Sequence, residues 1–169
     1  MCIREAVAFN GPDMEIHLFQ KIIDEGTPYF RYISLDGPGE TVMNPEACRM
    51  IRYARAKGIR MMFSTNATLM NADLVEAILD SGLDQIIFSV NGTTPAVYRS
   101  VHGVDSYEKA VANVRRFLQR KCERKSSTRV TIQMVCLPQT IAQVGEFYSQ
   151  WRRMPGVDSV RVKKDVVCV

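Results

Sequence analysis

The residues that could do chemistry sit where apolar runs end. Ile33-Ser34-Leu35-Asp36-Gly37-Pro38-Gly39-Glu40 passes from a β-compatible stretch into a glycine-rich turn that finishes on a carboxylate. Gly37 and Gly39 tolerate positive φ and let a ligand approach the main chain, and Pro38 between them stiffens the turn. Three further runs carry small polar groups at or near their ends: Ser64-Thr65-Asn66, Ser89-Val90-Asn91-Gly92, and Gln133 within the fourth. One such Ser or Asn is as readily a hydrated loop residue as a ligand. Four neighbouring ends together read as the lining of a cleft. The Glu40 carboxylate would accept from an ammonium, turn N–H groups would face an anionic oxygen, and the hydroxyls and amides suit a sugar. The residues alone thus point to a nucleoside-like or amino-acid-like ligand.

These groups need elements to hold them. Asp13 is placed to cap a helix from Met14 to Glu25, with Ile16, Phe19, Ile22 and Ile23 at helical spacing and Gly26 as its stop. A strand over Tyr32–Leu35 follows, then a helix capped at Asn44-Pro45-Glu46 and running to Lys57. Strands are expected at 59–64, 85–90, 129–135 and 157–162. Helices are expected after Asn71, after Ser106 and over Ile141–Arg152. The apolar run 85–90 has the character of a strand buried on both faces. Strand–helix alternation with short connections calls for an α/β fold: one parallel sheet with alternating helices and right-handed crossovers, as a single domain over 1–169. In such a sheet all four polar strand ends fall on one side, outside the carboxyl ends of the strands.

Composition excludes several classes. No apolar run approaches the ~20 residues of a membrane helix, and Met1-Cys2-Ile3-Arg4-Glu5 does not open a signal peptide, which points to the cytoplasm. A net charge of +4 demands no nucleic-acid partner. The basic stretch Arg115-Arg116, Arg120-Lys121, Arg124-Lys125 reads as a solvated helix end. Five cysteines (Cys2, Cys48, Cys122, Cys136, Cys168), widely spaced, read as thiols and not as a disulfide framework. A Rossmann-type nucleotide enzyme is disfavoured because no G-x-G-x-x-G opens a helix after a strand.

In order and spacing, the polar segments resemble those of the radical S-adenosylmethionine (SAM) enzymes, over nearly the whole chain. Asp36-Gly37-Pro38-Gly39-Glu40 resembles the family's G-x-G-E-P segment, with Thr41 at the usual Pro. Ser64-Thr65-Asn66-Ala67-Thr68-Leu69 resembles S-T-N-G-T-L, with Ala67 for Gly. Ser89-Val90-Asn91-Gly92 resembles S-L-D-G, with Asn91 for the acid. Tyr98 to Gly103 resembles Y-x-x-I-R-G, with His102 at the usual Arg.

The resemblance implies an incomplete (β/α)6 partial TIM barrel in which Gly37, Gly39 and Glu40 hold the SAM amino group. Ser64, Asn66, Ser89 and Asn91 would line the ribose and carboxylate region, His102 would replace a carboxylate-binding arginine in a loop, and Gln133 would approach the adenosine. It also implies a 4Fe–4S cluster on a C-x-x-x-C-x-x-C loop. Here only Cys2 stands where the last of those cysteines is expected, with the two earlier ones and the first strand missing. The chain is therefore expected to be a fragment, inactive alone. The intact enzyme would take an electron from a flavodoxin or ferredoxin, cleave SAM reductively and form a 5′-deoxyadenosyl radical for an unknown substrate. An open sheet edge predicts a homodimer. The rival reading is a non-catalytic α/β ligand-binding or scaffold domain without a metal.

Overall fold

The computed structural model describes residues 11–37 and 39–164. Its elements run α1 Ile16–Gly26, β1 Tyr32–Ser34, a 3-10 turn Thr41–Met43, α2 Ala47–Ala56, β2 Arg60–Thr65, α3 Ala72–Asp80 and β3 Gln85–Ser89. They continue with α4 Pro95–His102, α5 Tyr107–Glu123, β4 Arg129–Cys136, a 3-10 turn Ile141–Gln143, α6 Val144–Trp151 and β5 Ser159–Lys164. The strands form one sheet in the order β1-β2-β3-β4-β5, every pair parallel. The expected α/β alternation is therefore what the chain adopts.

Period-two alternation divides the sheet into two unlike faces. Met61 and Phe63 on β2, Ile86 and Phe88 on β3, Val130, Ile132 and Met134 on β4 all point into one core, and all six helices contribute side chains to it. Phe19, Ile23, Met50, Ile51, Ile78, Phe117, Phe147 and Trp151 from those helices are at most 3% exposed. The opposite face is mostly polar, with Met62, Ile87 and Val135 among its residues: Ser64, Ser89, Gln133 and Arg161 lie on it, the last three in one register row. Helices on one side and polar side chains on the other give the sheet the character of a partial barrel wall, with the polar face inward.

Several boundaries differ from those expected. Helix α1 begins two residues later than the sequence suggests. Asp13 is not its cap, and Glu15 holds that position without a side-chain bond. Asn44 does not cap α2 directly. Its Oδ1 accepts from the Glu46 N–H at 2.8 Å and its Nδ2 donates to the Met14 carbonyl at 3.0 Å, so it ties the loop to the start of α1 while the helix begins at Ala47. Asn71 does cap α3, accepting from the Leu74 N–H at 2.8 Å. Ser106 precedes α5 without a capping bond. An unexpected helix, α4, is started by Pro95 in its first turn and by the Thr94 hydroxyl, which accepts from the Val97 N–H. Among the described residues no helix is long and apolar enough to cross a membrane.

Candidate functional site: the turn after β1 and its neighbouring strand ends

Two carboxylates from the same turn fasten β1 to β2. Asp36 Oδ1 accepts from the Ser64 N–H at 2.6 Å and from the Ser64 hydroxyl at 2.8 Å, while its Oδ2 accepts from the Ser34 hydroxyl at 2.5 Å. Four residues on, Glu40 Oε2 accepts from the Thr65 hydroxyl at 2.6 Å and Oε1 from the Asn66 N–H at 3.0 Å. Thr41 donates its hydroxyl to the Leu35 carbonyl and closes the turn on itself. Gly39 sits at φ 142°, and an added Cβ at Gly37 would meet nothing within 4 Å. The turn is thus held by its acidic ends, while Gly37 faces open space. Each Glu40 oxygen keeps lone-pair capacity beyond its one neighbour, so the carboxylate can still accept from a ligand ammonium.

A cleft of about 840 Å³ opens beside this turn, lined by Gly37, Gly39 and Glu40 on one side and by Asp13, Leu18 and Lys21 on the other. Its volume falls in the range of small-molecule sites. Of the candidate ligand-binding residues named from the sequence, Gly37, Gly39 and Glu40 line it, together with their turn neighbours Asp36 and Thr41. Ser64 and Asn66 join it indirectly, through their bonds to Asp36 and Glu40. Asn66 turns its own Oδ1 back to the Thr68 N–H and hydroxyl, at 2.9 and 2.6 Å.

Ser89, Asn91, His102 and Gln133 lie apart from the cleft, across β3 and β4. Asn91 is 2% exposed, and its Oδ1 accepts from the Val135 N–H at 2.8 Å. That bond fixes the amide, so the Asn91 Nδ2 faces His102 Nε2 at 3.2 Å. An amide nitrogen can only donate, and His102 Nε2 must accept: the imidazole is neutral, with its proton on Nδ1. Burial favours the same form, since it lowers the affinity of His102 for a proton. The ring stacks on Tyr98 with centroids 4.1 Å apart and planes at 19°. His102 is therefore not a loop residue as expected. It closes α4 and, in this geometry, acts as a hydrogen-bond acceptor.

The turn after β3 is tightly enclosed. Gly92 has φ 150°, and a Cβ there would sit 2.9 Å from the Tyr98 backbone nitrogen. Thr93 is bound on three sides, its N–H to Gln143 Oε1, its hydroxyl to Glu146 Oε2 and its carbonyl to the Tyr107 hydroxyl, at 2.9, 2.8 and 2.7 Å. This network, like the Asp36 brace, was not anticipated from sequence. The only hint for Asp36 was its place inside the glycine turn, and Thr93 gave none.

The metal expectation rests on Cys2, which lies outside the described residues, as does Cys168. Cys48, Cys122 and Cys136 are free thiols; burial pushes the Cys48 thiol up, away from thiolate. Among the described residues no group of three His, Cys, Asp or Glu side chains could hold a metal ion. Among the described residues the turn offers a carboxylate and open glycine main chain to a ligand ammonium, and Cys48, Cys122 and Cys136 do not form a group that could hold a metal.

Comparison with known proteins bears on the fold and the family. The chain is 29% identical over 93 residues to the tungsten-containing aldehyde ferredoxin oxidoreductase cofactor-modifying protein of Pyrococcus furiosus, covering 54% of this chain and 26% of that protein. It is 30% identical over 111 residues to the mycofactocin maturase MftC of Mycobacterium ulcerans, covering 65% of this chain and 30% of the relative. It thus spans less than a third of either protein. Among solved structures it superposes on Streptococcus suis SuiB, bound to its precursor peptide SuiA with TM-score 0.70 at 14% identity, covering 91% of this chain and 33% of SuiB. The SAM-bound form gives TM-score 0.69 at 15% identity, with coverages of 94% and 37%. That likeness concerns the fold. The model of the radical SAM superfamily matches residues 2–150, most of the 169. The chain belongs to the radical SAM superfamily.

Proposed function

We propose that this chain forms the SAM-binding wall of a radical SAM enzyme. The observation that carries this reading is the turn from Asp36 to Glu40. It opens two glycines onto a cleft of about 840 Å³ and presents a carboxylate already oriented by Thr65 and Asn66. Gly37, Gly39 and Glu40 would hold the SAM ammonium. Ser64 and Asn66, bonded to that turn, would line the ribose and carboxylate. His102 supports Asn91 as an acceptor and takes no proton. When bound, SAM and a 4Fe–4S cluster would supply the reductive cleavage that begins radical chemistry, and Cys2 is the chain's candidate cluster ligand. The chain's own part is to bind, orient and exclude water. Flavodoxin or ferredoxin would be the electron donor, and the open edge of β1 is where a second copy would pair.

The test is calorimetric titration of the purified chain with SAM, S-adenosylhomocysteine and ATP. SAM is expected to bind, ATP not to bind, and Glu40→Gln to weaken SAM by roughly tenfold, the value of one charge-assisted hydrogen bond. Equal affinity for SAM and ATP, or indifference to Glu40→Gln, sinks the reading. Anaerobic iron–sulfur reconstitution of the 169-residue chain is expected to give no 5′-deoxyadenosine, because the sequence holds no C-x-x-x-C-x-x-C.

A further inference from the structure

The inward face of the sheet changes character from one register row to the next. In the lower row, Ile87-Thr131-Ser159, Thr131 shares a 2.8 Å bond with the Ser159 hydroxyl and accepts at 3.2 Å from Gln85 Nε2, which reaches up from the row beneath. Donors and acceptors there answer each other, and Thr131 is 5% exposed. One row up, Ser89, Gln133 and Arg161 stand side by side. Arg161 Nη2 donates to Gln133 Oε1. That bond turns the Gln133 oxygen toward Arg161, and the amide, 8% exposed, has both N–H donors to offer a ligand. Arg161 brings four more N–H donors, and Lys163, two residues along β5, adds an ammonium on the same face. On this face β3, β4 and β5 place three cations, Arg129, Arg161 and Lys163, and no carboxylate. Asp36, on the far side, is occupied by Ser34 and Ser64.

A row rich in donors and positive charge, with Gln133 buried and Arg161 and Lys163 open to solvent, next to a self-satisfied one, is matched by an anionic group. We propose that Gln133, Arg161 and Lys163 form a substrate-recognition row that binds carboxylates of an acidic peptide. The planar Arg161 guanidinium, aligned by Gln133, makes the bidentate contact and Lys163 adds charge. This rests on the reading above only in taking the polar face as the side that meets ligands. It assigns the β4–β5 end to substrate and leaves the turn after β1 to SAM.

The experiment uses the whole chain and two peptide probes, pentaglutamate and pentaglutamine, titrated with and without saturating SAM at low and high salt. Pentaglutamate is expected to bind at least tenfold tighter than pentaglutamine, with the advantage falling as salt rises. Arg161→Gln is expected to weaken pentaglutamate by roughly tenfold, the scale of a charged hydrogen bond, with SAM affinity unchanged. Lys163→Gln should do so by less. If Arg161→Gln does not fold, Arg161→Lys and Lys163→Gln carry the test. Equal binding of the two peptides, no effect of the Arg161 and Lys163 variants, or a matching loss of SAM affinity overturns the proposal. Arg161-dependent binding of pentaglutamate without any SAM binding sustains this row and removes the SAM reading instead.

Discussion

Replacing Gly92 by alanine tests the geometry of the turn between β3 and α4. Two costs add. At φ 150° an L side chain is strained, by roughly 1–2 kcal/mol on the scale of left-handed backbone conformations. The new Cβ would also lie 2.9 Å from the Tyr98 nitrogen, 3.3 Å from its Cα and 3.3 Å from Val97 Cγ1. Two of those neighbours are main chain, so relief requires moving the first turn of α4, where the Tyr98 N–H donates to the Thr94 carbonyl at 3.0 Å. Overpacking of that kind costs about 1–3 kcal/mol. The sum is roughly 2–5 kcal/mol, or about 5–20 °C in Tm for a chain of this size. Gly103→Ala is the control: its φ is 74° but its Cβ would meet nothing within 4 Å, so it bears only the strain. Urea denaturation followed by circular dichroism should rank Gly92→Ala well below Gly103→Ala. Equal losses would refute the close approach and leave only the shared backbone cost.

Three more outcomes follow from the contacts described. The His102 imidazole is held neutral, with its pKa lowered, so the unfolded chain binds its proton more readily. Stability contributed by this group is therefore whole above the ordinary value of 6.5 and lost as pH falls below it, and His102→Gln should flatten that part of the pH–stability curve. Ala67 lies at φ 65° with its methyl fully buried. Ala67→Gly relieves about 1 kcal/mol of strain but loses about as much in a buried methyl and unfolded-state freedom, so its midpoint should stay within about 1 kcal/mol of the parent. Lys121 donates to the Gly156 carbonyl at 2.8 Å and to Asp158, and Lys121→Met should cost roughly 1–3 kcal/mol in chemical denaturation. Burial alone would raise the Asp158 carboxyl, but bonds from Lys121 and the Val130 N–H hold it below its ordinary value. That stabilisation is present at neutral pH and disappears as pH falls through the folded value, so the variant should also show a shallower acid limb.

The parallel sheet was legible because each strand is a short apolar run between a helix stop and a polar end, and those signals are local. Asn71 could be read as a cap for the same reason: its acceptor and donor are three residues apart. Helix α4 was hidden because its sequence was weighed as a motif with His102 in a loop, although Thr94-Pro95 is itself a helix start. The braces were not legible for a different reason. Asp36 meets Ser64 across 28 positions and Thr93 meets Glu146 across 53, distances at which sequence spacing carries no information about contact. Glu40 and Asn91 were identified as polar groups at strand ends. What they bind within the protein, Asn66 and Val135, became visible only when the strands were set in register.

Every strand in the sheet lies beside the one that precedes or follows it in the chain. Folding can therefore spread from unit to neighbouring unit, and protection of backbone amides from hydrogen exchange should grade along the sheet instead of appearing all at once. The middle strands have partners on both sides. Among the described residues β1 is paired with β2 alone and over only three positions, Tyr32 to Ser34. The turn with Gly37, Gly39 and Glu40 hangs from this least-secured strand, so its amides should exchange at the fast end of the range. A ligand that grips the turn would slow exchange there first and reach β3 and β4 only weakly.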